Sequence, residues 1–168
     1  MGAIKDSFTF DDVTLVPQYS SVLPSETITA NKLSNNLNLK IPLMSSAMDT
    51  VTESKMAIAI SKLGGIGVVH RNLSIERQVM EIKKVKKNNY LVGAAIGVSP
   101  GDFERAEELS RVKTDLIVID TAHGHTQKVL NMIRKIKKKI RNCTLCAGNI
   151  ATGKAAKFLA DSGVDIVK

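Results

Sequence analysis

No apolar run in this sequence approaches the ~18 residues that would mark a membrane-crossing helix, and none reads as one. The opening Met1–Phe8 lacks the apolar core of a secretory leader. Gly2 is not followed by Ser or Thr at position 6, so the N-myristoylation pattern fails too. A cytoplasmic location is the expectation. Cysteine is scarce: the two residues, Cys143 and Cys146, cannot build a disulfide framework. Aromatic side chains make up only 4% of the chain, and none is interleaved with the basic residues. That counts against a stacking platform for single-stranded nucleic acid, despite a net charge of +8. Low-complexity stretches and a visible second domain are also missing. The sequence has instead 43% hydrophobic and 24% charged residues, the balance of a chain that buries a core, at a length suited to one domain.

Much of the positive charge is concentrated in Arg134–Arg141. There Val129, Leu130, Ile133, Ile136 and Ile140 recur at helical spacing, which makes the lysines the outer face of an amphipathic helix. Nucleic acid is therefore not an expected partner. The same alternation of apolar strand and amphipathic helix runs through the chain. Ile41–Ser46 reads as a first strand. Thr50–Glu53 reads as a capping box before a helix carrying Met56, Ala57, Ile60 and Leu63, which Gly64-Gly65 ends. Ile66–His70 is a second strand. The helix from about Ser74 to Lys87 turns Ile75, Val79, Ile82 and Val85 inward. Strands follow at Leu91–Ile96, Leu116–Asp120 and Cys143–Ile150, with helices at Asp102–Val112, over the basic stretch, and from Thr152 to Gly163. Val164–Val167 begins a sixth strand.

Strands recur roughly every 22–28 residues, each followed by a helix, which predicts a parallel sheet covered by helices. An open doubly wound sheet would carry a Gly-rich phosphate turn after its first strand. Ser45–Asp49 holds no such turn, so the fold expected is a (β/α)₈ TIM barrel, with five βα units and the start of a sixth among residues 1–168. Residues 1–40 precede the first strand as an extension. With a turn at Asn35-Asn36, they are expected to pack across the barrel's bottom or side.

Barrel enzymes place their chemistry at the C-terminal ends of the strands. Here those ends hold Ser45, Ser46 and Asp49, then His70, Gly97, Asp120 with Thr121 and His123, and Asn149. A ring of hydrogen-bonding groups with little net charge suits a polar organic ligand better than a bare metal. His123-Gly124-His125 has zinc-binding spacing, but the neighbouring strands end in Gly97 and Asn149, which supply no further ligand. It reads as a loop or a substrate contact. Cys143 and Cys146 form a C-x-x-C inside a strand, where an offset of three puts them on opposite faces. They read as buried structural thiols. Asp120 could cap the following helix, but its place at the active end favours a carboxylate that accepts ligand hydroxyls. His70 fits a satisfied rim residue and a functional one equally well.

Five blocks in order then resemble the IMP dehydrogenase family: Pro42–Glu53, Gly64–His70, Val92–Gly97, Asp120–His125 and Ala147–Asn149, with Phe10–Val13 before them. The resemblance implies NAD-dependent oxidation of IMP to XMP through a covalent cysteine adduct, in a homotetramer that uses potassium. It implies that Ser46 and Met48 contact IMP, and that Asp120, Thr121, Ala122 and Asn149 contact NAD. The family's nucleophilic cysteine, potassium ligands and mobile flap correspond to positions after Lys168, so no catalytic or metal-binding residue is assigned within 1–168. The regulatory CBS module of many members, expected between about 87 and 91, is replaced by a direct link. GMP reductase is the nearest alternative, disfavoured by Ser46 and Thr52-Glu53. An alternative of another class is a half-barrel fragment without catalysis.

Overall fold

The computed structural model describes residues 8–168 apart from Phe10. The readings that rest on Gly2 and on a leader, and part of the Phe10–Val13 block, fall outside the described residues. An antiparallel hairpin comes first, β1 (Asn31–Ser34) and β2 (Leu37–Leu39), turning at Asn35-Asn36 as expected. Six strands then pair in parallel and in chain order: β3 (Met44–Ser45), β4 (Ile66–Val69), β5 (Val92–Ile96), β6 (Leu116–Asp120), β7 (Thr144–Gly148) and β8 (Ile166–Val167). Between them run α1 (Ser54–Lys62), α2 (Ile75–Lys86), α3 (Asp102–Arg111), α4 (Gln127–Lys139) and α5 (Gly153–Asp161). This is a parallel α/β half-barrel.

The helices form where local chemistry favours them. The hydroxyls of Ser74, Thr126 and Thr152 accept the backbone N–H three residues on, from Arg77, Val129 and Ala155, satisfying donors that a helix start leaves free. Gly64 and Gly163 take positive φ, +96° and +90°, and close α1 and α5 as only glycine does cheaply. The four predicted apolar positions within α4, and Ile140 at its C-cap, are buried, and the lysines face out.

Two expectations need correction. The capping box does not form: Glu53 is the N-cap of α1 without a side-chain cap bond. Thr52 is instead fully buried, and its hydroxyl donates to the Ser46 carbonyl at 2.6 Å with Ser45 Oγ 2.9 Å away. The first barrel strand shrinks from 41–46 to Met44–Ser45, because Pro42 has no N–H and the N–H groups of Lys40 and Ile41 both point to the Gly64 carbonyl. On α2, Val79 is half buried and packs against the helix-side core as expected, and the polar Gln78 next to it is wholly inside.

Period-two alternation sorts the strand residues into two cores. Val69, Ala94, Ile96, Ile117, Ile119, Leu145 and Ala147 meet the helices. Ile66, Val68, Ala95, Leu116, Val118 and Cys146 face the concave side, where Leu37 and Leu39 of the hairpin join them. Ser34 Oγ lies 2.9 Å from Thr144 Oγ1, fixing the hairpin at the N-terminal end of β7. Of the extension, then, the hairpin packs under the barrel as expected. Residues 11–30 before it do not: Leu15, Tyr19 and Ile28 are 94%, 95% and 86% exposed.

Gly67 shows how closely the layers approach. A β-carbon there would stand 2.5 Å from Ala57 Cα on α1, with backbone rather than a flexible side chain in the way. Gly67→Ala is expected to lower stability by about 1–3 kcal/mol, read as a shift in the urea midpoint. An unchanged midpoint would show that α1 can move off the sheet freely.

Candidate functional site

The inward register that builds the concave core continues past it. On β4 the sequence Ile66, Val68 leads two residues on to His70. On β6, Leu116 and Val118 lead to Asp120. Both polar residues therefore arrive at the C-terminal mouth on the same face. They line one cavity of about 420 Å³ together with Ala47, Met48, Asp49, Arg71 and Asn72. A second cavity, about 370 Å³, opens at the opposite end, between Asn35-Asn36 and the end of α4. The mouth is the better candidate, because loops at the C-terminal strand ends can be varied without disturbing the core.

The mouth is held by specific bonds. Asn72 N–H donates to His70 Nδ1 at 3.1 Å, so the neutral ring carries its proton on Nε2, 3.4 Å from Glu53 Oε1. Asn72 Nδ2 donates to Asp49 Oδ2 at 3.0 Å. Lys168 Nζ donates to Asp120 Oδ1 at 2.6 Å, leaving Oδ2 available as an acceptor. Asp120 caps no helix, since Thr126 starts α4. Beyond β6 and β7 the pairing continues as a ledge: Thr121 N–H and Oγ1–H both donate to the Gly148 carbonyl (3.0 and 2.7 Å). Asn149 N–H returns to the Thr121 carbonyl at 2.8 Å, and Gly124 N–H donates to the Asn149 carbonyl at 2.7 Å.

The structure thus brings Met48 and Asp120 into one cavity. Ser46 stands exposed just before it, and Ala122 and Asn149 are exposed beside it on the ledge with Thr121. Sequence reasoning missed Arg71 and Asn72, which follow β4 directly. The rule that singled out His70 would have reached them if extended by two residues. His123 and His125 gather no third ligand: among the described residues no group of three His, Cys, Asp or Glu could hold a metal ion. His125 packs on Phe158 instead, ring centroids 4.6 Å apart.

The cysteines lie on opposite faces as expected, but only Cys146 is a fully buried strand residue, in the concave core; Cys143 stands one residue before β7, half buried against the helix-side core. Burial pushes both thiols up to about 11, so each is protonated near neutral pH and a poor nucleophile. Neither is expected to react with iodoacetamide near pH 7 until denaturant is added, counted by mass spectrometry of intact protein. Labelling of the folded protein within minutes would show a thiol far more exposed or acidic than this.

A parallel half-barrel with a polar mouth at its C-terminal strand ends places the chain in the class of βα-barrel proteins. Within that class it belongs to the family described as IMP dehydrogenase / GMP reductase domain, matched over residues 7–168. The inosine-5'-monophosphate dehydrogenase of Borreliella burgdorferi is 41% identical over 214 positions, covering 98% of this chain and 53% of the relative. That of Cryptosporidium parvum is 38% identical, covering 98% and 51%. That of Streptococcus pyogenes serotype M3 is 31% identical over 293 positions, covering 98% and 59%. The chain spans about half the length of the curated relatives it matches.

Proposed function

We propose that the protein of which these residues form the first barrel half oxidises IMP to XMP with NAD. The observation that carries this is the convergence of Met48 and Asp120 on one cavity at the C-terminal mouth, in a chain of this family. Met48, 54% exposed, offers an apolar thioether surface for a purine, and Ser46 a hydroxyl beside it. Asp120 is a fit for a ribose diol. Its carboxylate accepts hydrogen bonds, is partly sheltered at the rim, and has no partner for Oδ2 among the described residues. Thr121, Ala122 and Asn149 would support the dinucleotide along the ledge, with the Thr121 hydroxyl offering a lone pair because its proton is committed to Gly148. NAD, when bound, supplies the hydride acceptor. Cys143 and Cys146 take no part. In this reading the nucleophilic cysteine and the potassium site belong to positions after Lys168, and the link between α2 and β5 is too short for a CBS module.

A homotetramer is part of the same reading. The side chains of Leu15, Tyr19 and Ile28 lie bare on the segment before the hairpin, to either side of a short 3-10 turn at Pro24–Glu26, and a second copy can cover them. No described helix is long and apolar enough to cross a membrane, and a cytoplasmic location is proposed.

The full-length protein is expected to produce NADH from IMP and NAD, and not to consume NADPH with GMP. The reverse pattern would make it a GMP reductase, and neither activity would leave the half-barrel as a binding or structural element. Ser46→Ala and Met48→Ala are expected to weaken IMP roughly 3- to 10-fold each, the worth of one hydrogen bond or one apolar contact. Equilibrium titrations matching wild type for both would remove them from the site.

A further inference from the structure

The mouth loops are not independent of one another. The loop after β3 carries Ser46, Met48 and Asp49, and the loop after β4 carries His70, Arg71 and Asn72. His70 is 3% exposed and stands between the two loops. Its Nδ1 takes the Asn72 N–H at 3.1 Å, which fixes where Asn72 turns. Asn72 Nδ2 then holds the Asp49 carboxylate at 3.0 Å, one residue from Met48. On the other side of the ring, Nε2 faces Glu53 Oε1 at 3.4 Å, at the start of α1. The His70 carbonyl is fixed from below by Gln78 Nε2 at 3.0 Å, and its N–H donates to the Thr52 carbonyl at 3.4 Å. The ring is therefore held in one tautomer and one place, and its two nitrogens have unequal tasks. The Nδ1 contact leads through Asn72 and Asp49 to the nucleotide end of the first loop. The Nε2 contact leads only to a carboxylate half exposed to water (48%), where a weak, long bond is worth little.

We propose that His70 is a positioning residue whose Nδ1, used as an acceptor, sets the Asn72–Asp49 clamp and through it the placement of Met48 against IMP. This rests on the proposed IMP site. The two nitrogens can be separated by substitution. An asparagine at 70 can put its carbonyl oxygen where Nδ1 stands and keep the acceptor, whereas a glutamine can put its amide where Nε2 stands and keep only the donor toward Glu53.

In the full-length protein, H70Q is expected to raise the KM for IMP about 10-fold, the loss of one buried acceptor and the clamp it sets, with kcat changed less than KM. H70N is expected to stay within about 3-fold of wild type. N72A, which cuts the clamp at an exposed residue and does not threaten folding, is expected to resemble H70Q. Melting temperatures are recorded for all three, since a purely structural role would move stability and leave the KM ordering of the Asn and Gln variants equal. Equal KM values for H70N and H70Q, or an N72A variant indistinguishable from wild type, would overturn the inference. Absence of IMP oxidation by the wild-type protein would instead overturn the reading of function beneath it.

Discussion

Asp120→Ala in the full-length protein is expected to raise the KM for NAD roughly 10- to 100-fold while the affinity for IMP stays within a factor of about 3. A hydrogen bond to a charged group is worth about 1.5–3 kcal/mol, and each 1.4 kcal/mol is tenfold. The loss should be confined to ligand. Among the described residues the Asp120 side chain caps no helix and bonds no backbone group, and its ion-pair partner Lys168 is 46% exposed, so water can take over the ammonium when the carboxylate is gone. Steady-state kinetics with either substrate varied, together with an IMP titration, reads both quantities. A fall in IMP affinity with an unchanged KM for NAD would move Asp120 to the other half of the site.

The second large effect concerns Gln78, a fully buried amide on α2. Its Nε2 donates to the His70 and Ala95 carbonyls at 3.0 and 2.9 Å, with the Val69 carbonyl at 3.3 Å, and its Oε1 accepts from Arg105 Nη1 at 2.8 Å. One side chain thus ties the ends of β4 and β5 to α3. Gln78→Leu keeps the volume and strands two carbonyls and one guanidinium N–H away from water. At about 1–3 kcal/mol for each unsatisfied buried group, relieved in part by relaxation, the variant is expected to lose about 3–5 kcal/mol. Urea unfolding of the wild-type and variant proteins measures this, and a loss under 1 kcal/mol would mean that water or a rearranged Arg105 replaces the amide.

Gln78 also shows where reading the sequence stopped short. The residues Ile75, Gln78, Ile82 and Val85 form an i, i+3, i+7, i+10 stripe, so helical geometry placed Gln78 inward. Apolar periodicity names only Ile75, Val79, Ile82 and Val85 and passes over a polar residue on the same face. The same bias acted at Thr52, whose hydroxyl pattern suited a cap but whose position, beside the bare Ser46 carbonyl, gave it an inward partner. Both errors arise because a buried polar group is dictated by acceptors far away in sequence, which periodicity does not register. Apolar periodicity itself was a sound guide. Leu116–Asp120 is a strand over the residues expected, and the whole inner stripe of α4 is buried. The strand-end rule found His70 and Asp120 because inward register is a property of alternation alone. Extended by two residues it would also have reached Asn72, but which groups pair, Glu53 and Asn72 with His70 and Lys168 with Asp120, is decided by how the chain folds beyond the strands.

The hairpin under the barrel has a consequence for how the chain is made. Leu37 and Leu39 leave a ribosome well before the residues they cluster with, Leu116, Val118 and Cys146, and Ser34 before its partner Thr144. Contacts of such long sequence separation form late and slowly. Synthesis at about 5–20 residues per second leaves the hairpin waiting, with two leucines bare, for the time needed to add some hundred residues. A nascent chain halted before Thr144 should therefore show protease-sensitive cleavage around Leu37, and one halted well beyond Gly148 should show protection there, so that the first-made β-structure of the barrel is also among the last to be seated.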